Sequence, residues 1–196
     1  MENTEGSLFE NLPNDPKRAF NITNSAVAWL RQQVTEGRAF CLKLSRFAVH
    51  ETAQSRADTL NNFVSKEKGL RHADTPFAAL FYDMSESIRL LLKAIEKAGI
   101  DANTYIMFMS VNGSYSSIYN PSSANGSIRG HKDQIFEGSL RVPLIFSGPG
   151  IPAYSLSSVP VIARDVMSMI LDLAKITSWP EKVVRRGSQA SASIRS

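Results

Sequence analysis

Hydrophobic spacing along the chain predicts three helices. After a turn at Asp15-Pro16, apolar residues recur at helical intervals until Gly37, which ends the run. The longest regular element is predicted over Thr75–Ala98, where large apolar residues recur every three or four positions. A last helix is predicted at about Ala163–Ala174. These three patterns predict a chain with substantial helical packing.

Short apolar runs between the helices predict three strands. They are Ala39–Leu44, Tyr105–Met109 and Val142–Phe146, whereas Arg56–Arg71 is polar and is expected to cross the surface. Strands that alternate with long helices are typical of an α/β fold with a mostly parallel sheet. Because three strands cannot protect both faces and both edges of such a sheet, we predict a partial sheet, flanked by helices, from a larger domain.

The amount and location of charge limit the classes of partner. The chain has 196 residues and is 43% hydrophobic, which is enough for one globular core. Its net charge is +4; residues 181–196 hold four basic residues and one acidic residue, a net of +3, so residues 1–180 hold only +1. We therefore expect no nucleic-acid partner. The apolar runs are too short for a membrane span, and the polar segment 1–6 predicts no signal peptide.

The single cysteine, Cys41, excludes an internal disulfide and a thiolate metal cluster. It lies inside the apolar run of the first predicted strand, where a buried structural thiol is the usual state of a cysteine. Reactive thiols lie in electropositive, partly exposed surroundings, so we predict a structural role.

Three side chains near strand ends are candidates for chemistry. His50 follows the strand Ala39–Leu44, where an imidazole can act as acid, base or hydrogen-bond donor; alternatively it bonds only to backbone. Lys132 lies in a compact loop and could bind an anionic oxygen as a point charge, or it is a solvated surface lysine. Asn112 offers an amide oxygen to a cation such as calcium, or it only makes a turn with Gly113.

Neighbouring polar residues are expected to have structural roles. We expect Arg129 to bind backbone or a carboxylate, and Glu137 and Arg141 to pair with each other or with backbone. His131 has no evident partner in the sequence and is expected to face water. None of these residues is assigned to the reaction by its position.

The candidates lie within a series of segments that resembles a known family. In order along the chain, the segments are similar to the second half of the catalytic domain of the sulfatases, in the alkaline phosphatase superfamily. They are Asp15-Pro-Lys-Arg-Ala-Phe20, Ala48-Val-His-Glu51, Pro76-Phe-Ala-Ala-Leu80, Ile128-Arg-Gly-His-Lys132, Glu137-Gly-Ser-Leu-Arg-Val-Pro143 and Gly148-Pro-Gly-Ile-Pro152. The resemblance divides the chain into an N-terminal extension (1–13), a partial sulfatase domain (14–175) and a flexible basic tail (176–196).

The resemblance implies hydrolysis of a sulfate ester or of a sulfated glycan. In the family, the hydrate of a formylglycine attacks sulfur, while a divalent cation, usually calcium, neutralises the sulfate oxygens. His50 and Lys132 match residues that contact the sulfate, and Asn112 matches one member of the Asp-Asn pair that binds the cation. Intact family members are often secreted, periplasmic or lysosomal. The sequence does not indicate an oligomeric state.

The chain departs from the family at the nucleophile and at the metal. It contains no Cys/Ser-x-Pro/Ala-x-Arg motif, from which formylglycine is made, and no counterpart of the paired aspartates of the family's first strand. Val111 stands where the family has the aspartate of Ser-Asp-Asn-Gly, and an isopropyl group cannot bind a hard cation. Calcium binding is therefore doubtful.

Three hypotheses follow from these departures. The first is a truncated sulfatase-family protein that is inactive as this chain alone. The second is a non-catalytic module that binds sulfated or other anionic ligands through His50, Arg129 and Lys132. The third is a chain with no stable fold, because a partial sheet leaves apolar edges open.

Overall fold

A computed structural model describes residues 14–50, 52–69, 74–114 and 125–176. The chain divides into two compact units, residues 1–151 and 152–196. The N-terminal extension and nearly all of the tail predicted from the sequence lie outside the described residues.

The first unit mixes helices with a small sheet. Its elements are helix α1 (Ala19–Thr35), helix α2 (Ala57–Val64), helix α3 (Thr75–Lys97), a 3-10 turn (Asp101–Asn103), strand β1 (Ile106–Met109), the short helix α4 (Glu137–Leu140) and strand β2 (Leu144–Ser147). Helices α1 and α3 form where the hydrophobic periodicity of the sequence predicts them, so these two predictions are confirmed. Helix α2 lies in the polar stretch 56–71, for which the sequence predicted a surface position and no helix.

Helix α1 begins because an aspartate that precedes it supplies the missing hydrogen-bond acceptor. The residue at the N-cap position, Arg18, has a φ of 53° and makes no side-chain capping bond. Instead the buried Asp15 accepts, through Oδ2, the backbone N–H groups of Phe20 at 3.0 Å and Asn21 at 2.7 Å. The first turn of a helix has no internal acceptor for these N–H groups, so Asp15 fixes where α1 starts.

The core of the first unit lies where α1 and α2 pack against α3. Its buried apolar side chains come mainly from two helices and are Ala19, Ala26 and Leu30 of α1 and Ala79, Leu80, Met84, Ala94 and Ile95 of α3. In α1 these residues are seven and four positions apart, and in α3 two adjacent pairs and Met84 recur at close to whole helical turns, which places them on one face of each helix. The amphipathic pattern of the sequence is thus converted into one helix–helix interface.

A polar network crosses this core through Arg46. Its Nη1 donates to the hydroxyl of Ser87 at 2.8 Å, to the hydroxyl of Thr23 at 3.1 Å and to the carbonyl oxygen of Ala19 at 3.4 Å. Burial lowers the pKa of the Arg46 guanidinium from its ordinary value. The segment after α1 is therefore tied to both α1 and α3 by one cation.

A second buried polar group, Asp83 of α3, holds α2 in place. Asp83 is 4% exposed and accepts three hydrogen bonds, from the Arg56 backbone N–H at 2.8 Å, from Arg56 Nε at 3.0 Å and from the Thr59 hydroxyl at 2.7 Å. The Arg56 guanidinium also lies over the ring of Phe20, 4.3 Å from its centroid. These contacts explain why a polar segment forms a helix here.

The two strands of the described sheet are antiparallel neighbours. Ile106 lies opposite Ser147 and Met109 lies opposite Leu144, whereas the sequence predicted a mostly parallel sheet without a direction for this particular pair. An antiparallel strand at the edge of an otherwise parallel sheet is common in α/β folds. The mixture of helices and sheet that was predicted is confirmed.

The first predicted strand, Ala39–Leu44, is not a strand in the structure. Residues 38–47 form no helix, turn or bend, yet within the described ranges no backbone hydrogen bond joins residues 39–46 to a neighbouring segment. A strand is defined by its ladder, and the apolar pattern alone does not supply one. Cys41 is exposed and not buried as predicted, because it lies on the side of this segment that faces away from the helices.

The second unit contains helix α5 (Ala163–Leu173), as the sequence predicts. Asp165 accepts the backbone N–H of Ile162 at 2.8 Å and so fixes the start of α5. Among residues 152–176 every side chain is at least partly exposed. No helix in the described ranges combines the length and the apolar character that a membrane span requires.

We predict that Asp83→Ala destabilises the protein by about 2–3 kcal/mol, because it removes the acceptor of a partly buried guanidinium and of a buried hydroxyl. The matched control is Asp58→Ala: Asp58 pairs with the same Arg56 at 3.6 Å, but its side chain is 69% exposed. This control should cost less than about 1 kcal/mol. Urea unfolding of both variants measures the difference, and equal losses would contradict the role given to Asp83.

Candidate functional site

Backbone hydrogen bonds bring two of the predicted site residues onto neighbouring segments. The N–H of Gly113, next to Asn112, donates to the carbonyl oxygen of Ser139 at 2.9 Å. The N–H of Lys132 donates to the carbonyl oxygen of Ser114 at 2.9 Å. The loop after β1 is thus bonded on one side to α4 and on the other to the lysine loop. Asn112 and Lys132 belong to one connected structure.

The side chain of Asn125 links the two ends of this structure. Its Oδ1 accepts the N–H of Ser114 at 2.9 Å, and its Nδ2 donates to the carbonyl oxygen of Gly130 at 2.9 Å. An amide can satisfy a donor and an acceptor at once, which a carboxylate cannot. The sequence gives no local sign of these two hydrogen bonds, because Ser114 lies eleven positions before Asn125.

Three backbone segments approach so closely that only glycine fits. A Cβ atom on Gly113 would lie 1.7 Å from the carbonyl oxygen of Gly138, and one on Gly138 would lie 2.1 Å from that of Gly130. The N–H of Gly138 donates to the carbonyl oxygen of Arg129 at 2.7 Å. Gly130 has a φ of 89°, which L side chains rarely adopt. We call this arrangement of Gly113, Gly130 and Gly138 the glycine crossing.

The basic residues beside the glycine crossing are partly buried or contact neighbouring groups. His131 Nδ1 lies 2.7 Å from the carbonyl oxygen of Lys132 and is partly buried, so the expectation that His131 faces water is wrong. Arg129 stacks on the ring of Phe136, 3.9 Å from the ring centroid, where the sequence suggested a bond to backbone or carboxylate. Lys132 is partly buried. The two basic residues Arg129 and Lys132 are therefore both partly held by the chain around them.

The expected pair at the end of this loop is present but weak. Arg141 Nη1 lies 3.8 Å from Glu137 Oε2, which confirms the predicted pairing. Both side chains are about seven-tenths exposed, with values of 71% and 72%. An ion pair this exposed contributes little to stability.

His50 lies in a turn whose backbone is strained. Its backbone N–H donates to the carbonyl oxygen of Phe47 at 3.2 Å, and its side chain is exposed. The preceding residue, Val49, has a φ of 62°, an unusual conformation for a β-branched residue. Within the described ranges, no hydrogen bond joins His50 to Asn112 or Lys132.

The residues around Asn112 do not fit a calcium ion. Val111 is 88% exposed and presents an isopropyl group where an oxygen ligand would be required. The Ser110 hydroxyl donates to the Asn112 carbonyl oxygen at 2.8 Å, so one neighbouring oxygen is already engaged in the chain's own turn. In the part of the chain that the structure describes, no group of three His, Cys, Asp or Glu residues could hold a metal ion.

The chain is similar to known proteins over most of its length. The family model described as "Sulfatase" matches residues 11–176. A "Sulfatase" of Formosa agariphila is 29% identical over 139 residues, which are 66% of this chain and 24% of that protein. The "Uncharacterized sulfatase YdeN" of Escherichia coli is 26% identical over 87% of this chain and 30% of its own length. This chain therefore spans less than a third of these relatives.

A solved structure agrees with the sequence comparisons. The structure of Ps i-CgsB in complex with k-i-k-neocarrahexaose has a TM-score of 0.73 and 27% identity, covering 84% of this chain and 35% of that one. A second structure of Ps i-CgsB has a TM-score of 0.74 and covers 86% of this chain. The structural neighbours have the alkaline phosphatase-like fold of sulfatases, which confirms the predicted fold class. The chain belongs to the sulfatase family.

Proposed function

We propose that this chain supplies a lysine, Lys132, that binds the anion in a sulfate ester site. The observation that carries the proposal is the bonded loop: Lys132 is tied through its own N–H to Ser114, two residues beyond Asn112. A lysine whose backbone is fixed presents its charge with less loss of conformational freedom when an anion binds. Family membership makes a sulfate ester the expected anion.

His50 is proposed as a second group that contacts the sulfate. The turn from Phe47 to His50 fixes the backbone of this histidine, and the imidazole is open to solvent. A neutral or charged imidazole can donate a hydrogen bond to an ester oxygen. Strain at Val49 is consistent with a turn whose geometry is retained for a ligand.

The proposal does not include hydrolysis by this chain alone. The sequence contains no motif from which formylglycine could be made, and Cys41 is followed by Leu-Lys-Leu. Without a nucleophile, Lys132 and His50 can hold an anion but cannot form a bond to sulfur. Binding of the anion by this chain can therefore be measured separately from hydrolysis.

We predict that the purified chain does not hydrolyse an aryl sulfate above the rate of a protein-free control. The physical reason is the missing nucleophile. The measurement is release of the phenol from 4-nitrophenyl sulfate over a range of protein concentrations, with an active sulfatase as the positive control. A rate proportional to the concentration of this chain would contradict the proposal.

We predict that calcium does not raise the melting temperature of the chain, because Val111 provides no oxygen ligand beside Asn112. Thermal unfolding with millimolar-range calcium and with a chelator makes the comparison. Val111→Asp, introduced into this segment within a complete sulfatase domain, should restore part of a calcium-dependent shift, whereas Val111→Asn should restore less. An equal shift for the valine form would contradict the role given to Val111.

A second candidate function is binding of sulfated glycans without turnover. The observation that favours it is the presence of two basic residues next to the glycine crossing. Arg129 stacks on Phe136, and Lys132 is partly buried. The solved relative, Ps i-CgsB, was crystallised with a neocarrahexaose, and one human relative is an N-acetylglucosamine-6-sulfatase, 32% identical over 46% of this chain. Both names support a carbohydrate ligand for this segment.

We predict that the chain binds a sulfated oligosaccharide in a salt-sensitive manner and that Lys132→Ala weakens the binding by about tenfold. The matched control is Lys93→Ala, which removes the same charge from the exposed surface of α3. Isothermal titration calorimetry at low and moderate salt concentration measures the dissociation constants, with the desulfated oligosaccharide as a second control. Equal weakening by both variants would indicate attraction to overall charge and would contradict the site.

A further inference from the structure

A closed ring of hydrogen bonds joins the loop that carries Lys132 to the loop after β1. The Lys132 N–H donates to the carbonyl oxygen of Ser114 at 2.9 Å, and the Ser114 N–H donates to Asn125 Oδ1 at 2.9 Å. Asn125 Nδ2 donates in turn to the carbonyl oxygen of Gly130 at 2.9 Å. Gly130 lies two residues before Lys132, so the chain itself completes the ring. Lys132 is therefore held by its own N–H and by a carbonyl group two residues earlier.

The Asn125 position requires a side chain that accepts at one end and donates at the other. Rotating the amide by half a turn would place Nδ2 against the Ser114 N–H and Oδ1 against the Gly130 carbonyl oxygen, so only one orientation fits. An ionised carboxylate could accept from Ser114 but would place a second negative oxygen against Gly130. An alanine would remove both of these partly buried hydrogen bonds, which costs free energy. The ring therefore depends on a neutral amide.

Gly130 is the point at which the loop needs this hydrogen bond. On its N-terminal side the chain is fixed at the glycine crossing, where the Gly138 N–H donates to the carbonyl oxygen of Arg129 at 2.7 Å. Gly130 itself has a φ of 89°, and a residue without a Cβ atom has wide backbone freedom. Local sterics therefore do not set the direction of the chain beyond Gly130. The bond from Asn125 to the Gly130 carbonyl group sets this direction, and with it the position of Lys132.

We propose that Asn125 is a positioning residue for anion binding, because its amide fixes the direction in which the Lys132 side chain leaves the loop. Asn125 acts through Lys132, and no contact between Asn125 and the anion is required. The inference rests on the proposed function, in which Lys132 binds a sulfate ester. A lysine whose backbone must be ordered when the anion binds loses more conformational entropy, so the anion is bound more weakly. Loss of the amide should therefore lower the affinity only where Lys132 is present.

Asn125→Asp makes the ring, and hence the affinity, dependent on pH. A neutral carboxyl group can donate through its O–H to Gly130 and accept from Ser114, as the amide does, whereas the ionised group can only accept. Both hydrogen bonds are therefore present below the pKa of the introduced carboxyl group, and one is lost as the pH rises through that pKa. The ordinary pKa of an aspartate is about 3.9, and hydrogen bonding to the neutral form raises it, so a titration from about pH 7.5 to about pH 3.5 covers the change.

The first measurement is hydrogen exchange of the Lys132 backbone amide in the full chain without ligand. The rate of an unstructured peptide at the same pH, divided by the measured rate, gives a protection factor. Asn125→Asp should lower the protection of Lys132 at least about tenfold at about pH 7.5 and restore it at about pH 3.5, whereas Asn125→Ala should lower it at both. No anion is present, so repulsion of a ligand by the new charge plays no part. Unchanged protection of Lys132 in either variant at the higher pH would overturn the proposal.

The second measurement is isothermal titration calorimetry with 4-nitrophenyl sulfate. Relative to the unmodified chain at the same pH, Asn125→Asp should bind the ester about tenfold more weakly at about pH 7.5 and equally well at about pH 3.5. The matched control Asn61→Asp adds the same charge at an exposed position of α2 and should bind as the unmodified chain does at both pH values. In a Lys132→Ala background, Asn125→Ala should change the affinity less than about twofold, because it acts through the missing lysine.

These measurements separate failure of the inference from failure of the proposed function. If the unmodified chain does not bind the ester, the proposed function fails and this inference fails with it. If the unmodified chain binds and the Asn125 variants bind equally well, the inference alone fails. A further loss of about tenfold in the Lys132→Ala background would also overturn it, because Asn125 would then support the fold as a whole. Asn125→Asp decides the question even where Asn125→Ala does not fold, since one protein is compared with and without the hydrogen bond.

Discussion

The close approach of three backbone segments at the glycine crossing is the constraint on which the candidate site depends. The crossing leaves no space for a Cβ atom on Gly113 or Gly138, since carbonyl oxygens occupy that space. Backbone hydrogen bonds from Gly113 and Lys132 then align the loop after β1 with α4 and with the lysine loop. Lys132 and Asn112 are neighbours because of this backbone packing, and neither side chain is needed to create it.

The helices follow from hydrophobic spacing that is visible in the sequence, whereas the buried polar contacts that hold them together do not. The buried residues of α1 and α3 recur at helical intervals, so those helices could be predicted from composition and order alone. Helix α2 could not, because it depends on Asp83, which lies 27 positions after Arg56. A contact of that sequence separation has no local signature in a single chain.

The site was predictable only as separate residues. His50, Asn112 and Lys132 could be chosen from their loop positions and from the family resemblance, but the arrangement of Asn112 relative to Lys132 depends on Asn125 and on the glycine crossing. The direction of the β1–β2 pairing was also outside the reach of the sequence, because apolar runs specify strand formation and not strand direction. The prediction of a buried Cys41 failed for a related reason: the alternation along its segment places it on the open side.

The same segment shows how side-chain packing and backbone pairing can become separate. Phe40 and Arg46 make their helix contacts whether or not a neighbouring strand is present, since these contacts lie on one face. A ladder of backbone hydrogen bonds, in contrast, requires N–H and C=O groups on a neighbouring segment. A family fold can therefore persist in a chain that spans 30% of one relative and 35% of another. The helices and their buried polar network keep the substructure in shape, while the chemistry of the family requires oxygens and a nucleophile that Val111 and Cys41 do not provide.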